Sequence, residues 1–219
     1  MKEYTKDKRN RVKRGANRAI YDIETVNSIL DANFIGYVGY IYDGYPISIP
    51  MAYGRKDNKI YLHGSTANRM LTSILENKKT SMTVMNLDGL VLARSGFHHS
   101  VNYRSATLFG TLKKIEDDKE KTAILENIVN HMIADRWNTL RPMNQQELNR
   151  TLVIELTIET ASAKIRAEGV GDEPEDYNEE VWAGIVPIKQ IAEYPIPDKG
   201  IPEKMSIPEH VLTYYNQNK

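Results

Sequence analysis

Residues 34–53 read Phe-Ile-Gly-Tyr-Val-Gly-Tyr-Ile-Tyr-Asp-Gly-Tyr-Pro-Ile-Ser-Ile-Pro-Met-Ala-Tyr, and this stretch decides the fold. Aromatic and β-branched residues are frequent in both halves, as is typical of β-strands. Asp43-Gly44 stands between the halves, and this dipeptide is the strongest short-range signal for a tight hairpin turn. We therefore predict two antiparallel strands, over residues 34–42 and 45–53, joined by a two-residue turn.

Helix and strand signals alternate on both sides of this hairpin. Apolar residues at helical spacing follow Asp22, which we predict to be an N-cap, and a helix is also predicted to start near Ala67. A long helix is expected after Asp117-Asp118, and a capping box of Asn144 and Glu147 indicates a short one. Further strands are predicted over residues 59–63, 80–87, 103–115 and 151–165. About six strands, joined mostly by hairpins and with helices inserted, favour an antiparallel α+β barrel or sandwich over a doubly wound sheet.

The composition of the 219 residues is that of an ordinary globular protein. Hydrophobic residues make up 41% of the chain and charged residues 26%, which excludes a disordered or fibrous protein. No apolar run approaches the roughly 18 residues that cross a bilayer, so we expect no membrane partner. The sequence has no cysteine, which excludes disulfides, thiolate nucleophiles and sulfur-based zinc sites and is compatible with the cytoplasm.

The chain divides into a domain over residues 21–190, a basic N-terminal arm (residues 1–20) and a C-terminal extension (residues 191–219). The arm holds eight Lys and Arg against two acids, although the whole chain is neutral. Such a cluster can contact nucleic acid. No aromatic residues interleave with these charges and no second basic stripe follows, so we expect a solvated arm, or one lying over an acidic partner subunit. Residues 168–180, with seven acids, are predicted to be a solvent-facing loop.

Residues 63–69, His-Gly-Ser-Thr-Ala-Asn-Arg, carry the strongest signal for a ligand. A strand ends, small hydroxyl residues turn the chain, and a helix begins with a cation in its first turn. Free N–H groups at a helix N-terminus attract an anion, and an arginine adds charge-assisted hydrogen bonds. The segment therefore suits a phosphate. A helix capped by Ser or Thr beside an exposed arginine explains the same residues equally well.

Two further stretches are candidates for a site. Residues 97–105 combine polar and aromatic groups at the entrance of a strand, as either a site or a loop whose polar groups satisfy one another. Trp182 is flanked by small residues and fits either the core or the wall of a pocket for a ring-shaped ligand. His98 and His99 are adjacent, so on a strand they would point to opposite faces, and we expect no metal site. Dinucleotide, P-loop, zinc-protease and serine-hydrolase motifs are all missing from the sequence.

A set of short segments, in order over roughly residues 14–190, carries a family resemblance. The segments are Arg18 to Tyr21, Asp43 to Pro46, Tyr61 to Ser65, Gly89 to Ser95, Phe97 to Ser105 with Phe109-Gly110, Arg136-Trp137, Ser162 to Arg166, and Trp182 to Pro187. Together they resemble the flavin-nucleotide-binding branch of the pyridoxamine 5′-phosphate oxidase-like proteins. The sequence is also similar to the 5-nitroimidazole-resistance reductases of that superfamily.

The resemblance implies a split β-barrel homodimer with FMN in a groove at the subunit interface. By position, Met51, Ala52 and Tyr53 would lie along the isoalloxazine edge, and Trp182 would close the site from the other subunit. The residues that the resemblance places at the ribityl phosphate are His63, Gly64, Ser65, Asn68 and Arg69, with Arg104 and Ser105 nearby. The Arg-x-His substrate signature of true pyridoxamine phosphate oxidases is replaced by residues 187–190, Pro-Ile-Lys-Gln, so we do not expect that activity.

The leading hypothesis is an FMN-dependent oxidoreductase that acts on a small planar molecule, similar to a nitroimidazole reductase. A flavin performs the electron transfer itself, so a separate catalytic constellation is not required. The alternative is a flavin-binding module without turnover, serving as a carrier or redox sensor. A third hypothesis is a haem-binding relative with His98 or His99 as the axial ligand. The sequence assigns no acid or base role to His63, His98 or His99.

Overall fold

The structure is a computed structural model that describes residues 2–202 and 204–219. It contains eight strands: β1 Ala19–Ile20, β2 Ile35–Tyr42, β3 Tyr45–Lys56, β4 Lys59–Ser65, β5 Ser81–Leu92, β6 Ser100–Ile115, β7 Thr151–Arg166 and β8 Gly184–Pro187. The α-helices are α1 Ile23–Asp31, α2 Arg69–Asn77, α3 Asp118–Met132, α4 Gln145–Arg150 and α5 Glu209–Asn218. Among the described residues, no helix combines the length and apolar character that a membrane span requires.

The strands form one antiparallel sheet that closes on itself. The order β7-β4-β3-β2-β5-β6 is completed by pairing of β6 with β7, which gives a ring of six strands. The short strands β1 and β8 add to the outside of this ring, on β7 and β5. This confirms the predicted α+β barrel. The ring contains the main core, into which α1 and α2 also bury apolar side chains.

The hairpin that decides the fold forms as predicted. Tyr42 pairs with Tyr45, and Asp43 and Gly44 have φ values of 50° and 76°. Two successive left-handed residues are what a type I′ turn requires, and its twist matches that of the strands it joins. Along β2, Val38 and Tyr40 are buried in the core while Tyr37 is exposed on the outer face.

A gap in the ring lies between β3 and β4. Residues 45–52 of β3 pair with β2, whereas only Tyr53–Lys56 pair with β4. The edge of residues 45–52 that faces away from β2 therefore has no strand partner in the described part of the chain. Across the gap, residues 63–65 of β4 pair with β7 on their far side. We call this feature the split.

The basic N-terminal arm has most of its Lys and Arg residues exposed, but it is also anchored to the barrel. Tyr4 and Asn10 are buried. The Asn10 amide donates hydrogen bonds to the Thr160 hydroxyl and, at 3.0 Å, to the Ala161 carbonyl of β7. The guanidinium of Arg9 also reaches Glu159, at 3.1 Å. Asn10 thus anchors the arm to the barrel of its own chain. Because Asn10 is uncharged, the charge of the arm does not predict this contact.

Candidate functional site

The two edges of the split carry most of the residues that the sequence assigned to a cofactor. Pairing between β3 and β4 begins at Tyr53 of β3, which lies opposite Leu62 of β4. If the same register is continued past Tyr53 into the gap, Ala52 lies opposite His63 and Met51 lies opposite Gly64. Met51 and Ala52 are partly buried at this edge. The structure therefore brings the predicted ring-binding strand and the predicted phosphate-binding turn to one opening.

The turn after β4 connects directly into α2. Ser65, Thr66 and Ala67 are exposed, and the Ser65 hydroxyl accepts a hydrogen bond from the Ala67 N–H at 3.2 Å. Asn68 is the N-cap, because its side chain accepts a hydrogen bond from the Leu71 N–H at 3.1 Å. The helix thus begins two residues later than predicted. The first N–H groups of a helix have no partner within it; here the cap binds that of Leu71, and those of Arg69 and Met70 have no partner among the described residues.

Gly64 allows this turn to pack closely. A Cβ at this position would lie 3.0 Å from Leu71 Cδ1 and 3.3 Å from Asn68 Nδ2. Both distances are shorter than normal contacts, and Leu71 is fully buried. A larger residue at 64 would push the capping residue and the start of α2 away from β4.

Arg69 provides a positive charge at the split. Its guanidinium lies 4.5 Å from the centroid of the Tyr42 ring, and Nη2 is 3.5 Å from the Tyr40 hydroxyl. The described residues place no carboxylate within ion-pair distance of it. Arg69 is exposed, so its donors are available to an anion in the turn.

His63 is half-buried at the end of β4. Its Nδ1 atom is buried and has no hydrogen-bond partner among the described residues. Burial lowers the pKa of His63 below its ordinary value of 6.5. The imidazole is therefore neutral at pH 7, beside the opening where a ligand would lie.

Tyr53 has a different position from the one that the resemblance implied. Its side chain is fully buried, and its hydroxyl donates to the carbonyl of Leu30 in α1. Its N–H donates to the carbonyl of Phe34 at 3.0 Å. Burial raises the pKa of the Tyr53 hydroxyl above its usual value. Neither the side chain nor the N–H is free for a cofactor, so Tyr53 is a core residue that anchors α1 to the barrel.

Arg104 and Ser105 do not lie near the turn within one protomer. Arg104 pairs with Ile165 near one end of the 16-residue strand β7, whereas Ser65 pairs with Thr151 at the other end. The Arg104 guanidinium makes two hydrogen bonds to the Asp88 carboxylate, at 3.0 and 2.8 Å. The Ser105 hydroxyl donates to the backbone of β7.

Trp182 and the histidine pair belong to the same distant end of the barrel. Gly184 of β8 pairs with Leu92 of β5, which places Trp182 beside the loop that follows β5. Trp182 is 68% exposed, and Phe97 in that loop is 90% exposed. The described part of the chain therefore leaves both aromatic rings largely uncovered.

His98 and His99 lie in a turn before β6, not on the strand that we had assumed. The Nδ1 atom of His99 is 2.9 Å from the Ser95 carbonyl, which leaves Nε2 free. His98 instead has Nε2 3.6 Å from a carboxylate oxygen of Glu173. The two rings therefore have separate surroundings.

An ion pair between Arg94 and Asp172 was missed by the sequence analysis. The Asp172 side chain is fully buried and accepts hydrogen bonds from the Arg94 N–H and guanidinium, at 3.0 and 2.9 Å. Burial acts to raise the pKa of Asp172, but the hydrogen bonds from Arg94 outweigh it and hold the pKa below its usual value. The acidic loop over residues 168–180 is thus anchored to the end of β5. Arg94 and Asp172 are 78 positions apart in the sequence, so no local sequence pattern predicts that they pair.

A groove of about 720 Å³ lies on the outer face of the barrel, across β2, β3, β5 and β6. Its apolar lining includes Tyr37, Ile41, Pro46 and Phe109. Lys78 and Lys79, which follow α2, also line it. We call this feature the outer groove.

Comparisons with known proteins agree with this geometry. The model of a family described as pyridoxamine 5′-phosphate oxidase matches residues 22–165. The structure of the flavocytochrome Anf3 from Azotobacter vinelandii is 38% identical, with a TM-score of 0.90, and the match covers 95% of this chain and 97% of that one. The FAD and haem binding protein from Mycobacterium smegmatis is 31% identical, with a TM-score of 0.86 and coverage of 90% and 97%.

A more distant structure shares the fold. It is a putative 5-nitroimidazole antibiotic resistance protein from Bacteroides thetaiotaomicron, 22% identical, with a TM-score of 0.58 and coverage of 67% of this chain and 86% of that one. Among curated proteins, no relative matched the sequence.

Proposed function

This chain belongs to the pyridoxamine 5′-phosphate oxidase family, and we propose that it is a flavin-dependent oxidoreductase acting on a small planar substrate. The observation that carries the proposal is the split, where an unpaired strand edge faces a turn that ends in an arginine with no carboxylate partner in residues 2–202 and 204–219. An unpaired edge offers backbone N–H and C=O groups to a ring with polar atoms. The turn offers the Ser65 hydroxyl and the start of α2 offers the N–H groups of Arg69 and Met70 and the Arg69 guanidinium to a phosphate.

The site fits the mononucleotide part of a flavin. The Ser65 hydroxyl, the first N–H groups of α2 and the Arg69 guanidinium would bind the phosphate. The edge at Met51 and Ala52 would lie along the isoalloxazine ring. FMN, the form predicted from the sequence, and FAD, the form bound by the Mycobacterium smegmatis relative, share this part.

A bound flavin supplies the redox chemistry, and the protein supplies binding, orientation and electrostatics. The partly buried edge of β3 would exclude water from one side of the ring. His63 would present a neutral imidazole beside the ribityl chain, where it accepts or donates a hydrogen bond without adding charge.

We propose that the protein is a homodimer with the flavin at the subunit interface. The accessible surface of the single chain is 14,239 Å². A compact monomer of 25.0 kDa exposes roughly 10,200 Å², so the excess is about 4,000 Å² per chain. Two chains together thus expose about 8,000 Å² more than two compact monomers, which is more than enough to supply the total area of an obligate interface. A twofold partner would also supply Trp182 to the split, which the chain's own Trp182 does not reach.

The test of flavin binding is direct. The purified protein should be yellow, and denaturation should release a flavin that chromatography identifies as FMN or FAD. Turnover is tested by bleaching the flavin with NAD(P)H and following its reoxidation by nitroaromatics or quinones. Bleaching without reoxidation would favour the non-catalytic module. A colourless protein that binds neither added FMN nor added FAD would contradict the proposal.

Haem binding is a second candidate function, because two relatives above 30% identity are a flavocytochrome and an FAD and haem binding protein. His99 fits an axial ligand better than His98 does. A histidine that binds a metal usually donates its second ring N–H to a carbonyl or carboxylate, and Nδ1 of His99 is placed to donate to Ser95. Its free Nε2 lies in the same loop as the exposed ring of Phe97.

The haem test compares two variants. Adding haem should produce a Soret band whose position and intensity change in His99→Ala but not in His98→Ala, while flavin content is equal in both. The absence of a Soret shift in the wild-type protein would exclude this function and leave the flavin proposal intact.

A further inference from the structure

Among the described residues of the C-terminal extension, 191–202 and 204–219, none is fully buried. Helix α5 buries no side chain. The extension closes on itself through a hydrogen bond of 2.8 Å from the Ala192 N–H to the Asn218 carbonyl, and through an edge contact between Tyr194 and Tyr215. Its exposed apolar residues include Ile191, Ile196, Ile201 and Met205. An apolar segment that is ordered and exposed in one protomer is a surface for another molecule.

The most exposed of these residues is held in a rigid segment. Ile196 is 91% exposed and stands between Pro195 and Pro197. Proline fixes its own φ and restricts the residue before it, so Tyr194–Pro197 is biased to an extended conformation. Little conformational entropy remains to be lost when such a segment binds.

The outer groove has the properties that recognise such a segment. Grooves lined by aromatic side chains bind extended proline-rich segments, and Tyr37, Pro46 and Phe109 line this one. The charges also match: Glu193 and Asp198 flank the segment, while Lys78 and Lys79 lie along the groove. Lys78 and Lys79 can therefore pair with the acid at one end of the segment, and the Arg9–Glu159 ion pair also lines the groove.

We infer that residues 194–197 of one protomer dock in the outer groove of a second copy of the chain. Each protomer has one unfilled groove and one unfilled segment, so a twofold exchange fills both at once. The segment does not fill its own groove, since Ile196 remains exposed. The exchange accounts for part of the surface excess of about 4,000 Å². This inference rests on the proposed homodimer and does not depend on which flavin is bound.

Cross-linking tests the contact, because the sequence has no native cysteine. Ile196→Cys protein mixed with Ile41→Cys protein should form a disulfide-linked mixed dimer under mild oxidation. Ile196→Cys mixed with Lys119→Cys, on the exposed side of α3, should give little product. Equal yields in the two mixtures would overturn the inference.

Dimer stability provides a second test. We expect Ile196→Asp to raise the dimer dissociation constant at least tenfold in sedimentation velocity, because it places a carboxylate in an apolar groove. Ile201→Asp, in the same extension but outside the segment, should change it less than about threefold. A stable dimer that Ile196→Asp leaves unchanged overturns the docking alone. A monomeric wild-type chain overturns the homodimer as well, and flavin content measured on the same sample reports separately on cofactor binding.

Discussion

The resemblance placed Arg69 at the cofactor phosphate and Arg104 near it, yet the structure gives the two arginines different surroundings. Arg104 forms a two-point ion pair with Asp88 on the neighbouring strand. Arg69 lies over the ring of Tyr42 and reaches the Tyr40 hydroxyl, with no described carboxylate nearby. An arginine that is already neutralised has little charge left for a ligand, whereas one supported by aromatic rings keeps its charge and its donors. The comparison shows that the availability of a cation depends on its partners as much as on its position.

The largest expected effect is on flavin affinity. Arg69→Ala should weaken binding of FMN or FAD about ten- to a hundredfold, the usual loss for a hydrogen bond to a charged group. Arg104→Ala should change it less than about threefold, with a fluorescence titration as the measurement. An equal loss of flavin affinity in both variants would contradict this difference between the two arginines, because it would indicate that Arg104 of a second protomer contacts the flavin.

The next effect concerns stability at the opposite end of the barrel. Asp172→Asn should lower the thermal midpoint by about 5 °C or more, because Arg94 loses a buried charged partner. Glu175→Gln, in the same loop but exposed, is the control and should leave the midpoint almost unchanged. Flavin affinity should be the same in both, so a drop in affinity in Asp172→Asn would link the loop to the cofactor.

Asn68 distinguishes capping from ligand binding within the turn. Asn68→Ala should lower the free energy of unfolding by about 1 kcal/mol in urea titrations, because the N-cap of α2 is lost. Asn68→Asp keeps a capping oxygen and should retain stability, but its negative charge next to the phosphate should weaken flavin binding. If Asn68→Asp binds flavin normally, the phosphate does not lie at this end of α2.

The smallest expected effect is a pH dependence at His63. The unfolded chain takes up a proton near pH 6.5, whereas burial lowers the pKa of His63 in the folded chain. Between these two pKa values the unfolded state binds more protons, so the free energy of unfolding falls as the pH falls below about 6.5. His63→Gln should remove this part of the slope in urea titrations between about pH 7.5 and 5.5, and an unchanged slope would show that other groups cause it.

The parts of the fold that sequence analysis predicted depend on partners close in the chain. The Asp43-Gly44 turn, the Asp22 N-cap and the capping box of Asn144 and Glu147 each involve residues within three positions of one another, and all three were confirmed. The family resemblance also pointed to the strand and the turn that border the split, because the segments that carry the resemblance occur in order along the chain.

The parts that were missed depend on distant partners. The resemblance assigned Tyr53 to the cofactor by its position in the strand, but its hydroxyl donates to the carbonyl of Leu30 in α1. Asp172 looked like one acid among seven until the fold placed it beside Arg94. Asn10 appeared to be a neutral gap in a basic arm, yet it holds that arm to β7. In each case the two residues in contact are more than twenty positions apart in the sequence, so no local sequence pattern predicts the contact.

Strand β7 has a consequence for the order of folding. It pairs with β1, β4 and β6, so residues 151–166 complete the ring on both sides. During synthesis, the edges of β4 and β6 are exposed until this late segment leaves the ribosome. Contacts as distant as Lys59 with Thr157 slow folding, since a long loop must close before they form. The nascent chain is therefore most vulnerable to aggregation just before its seventh strand emerges.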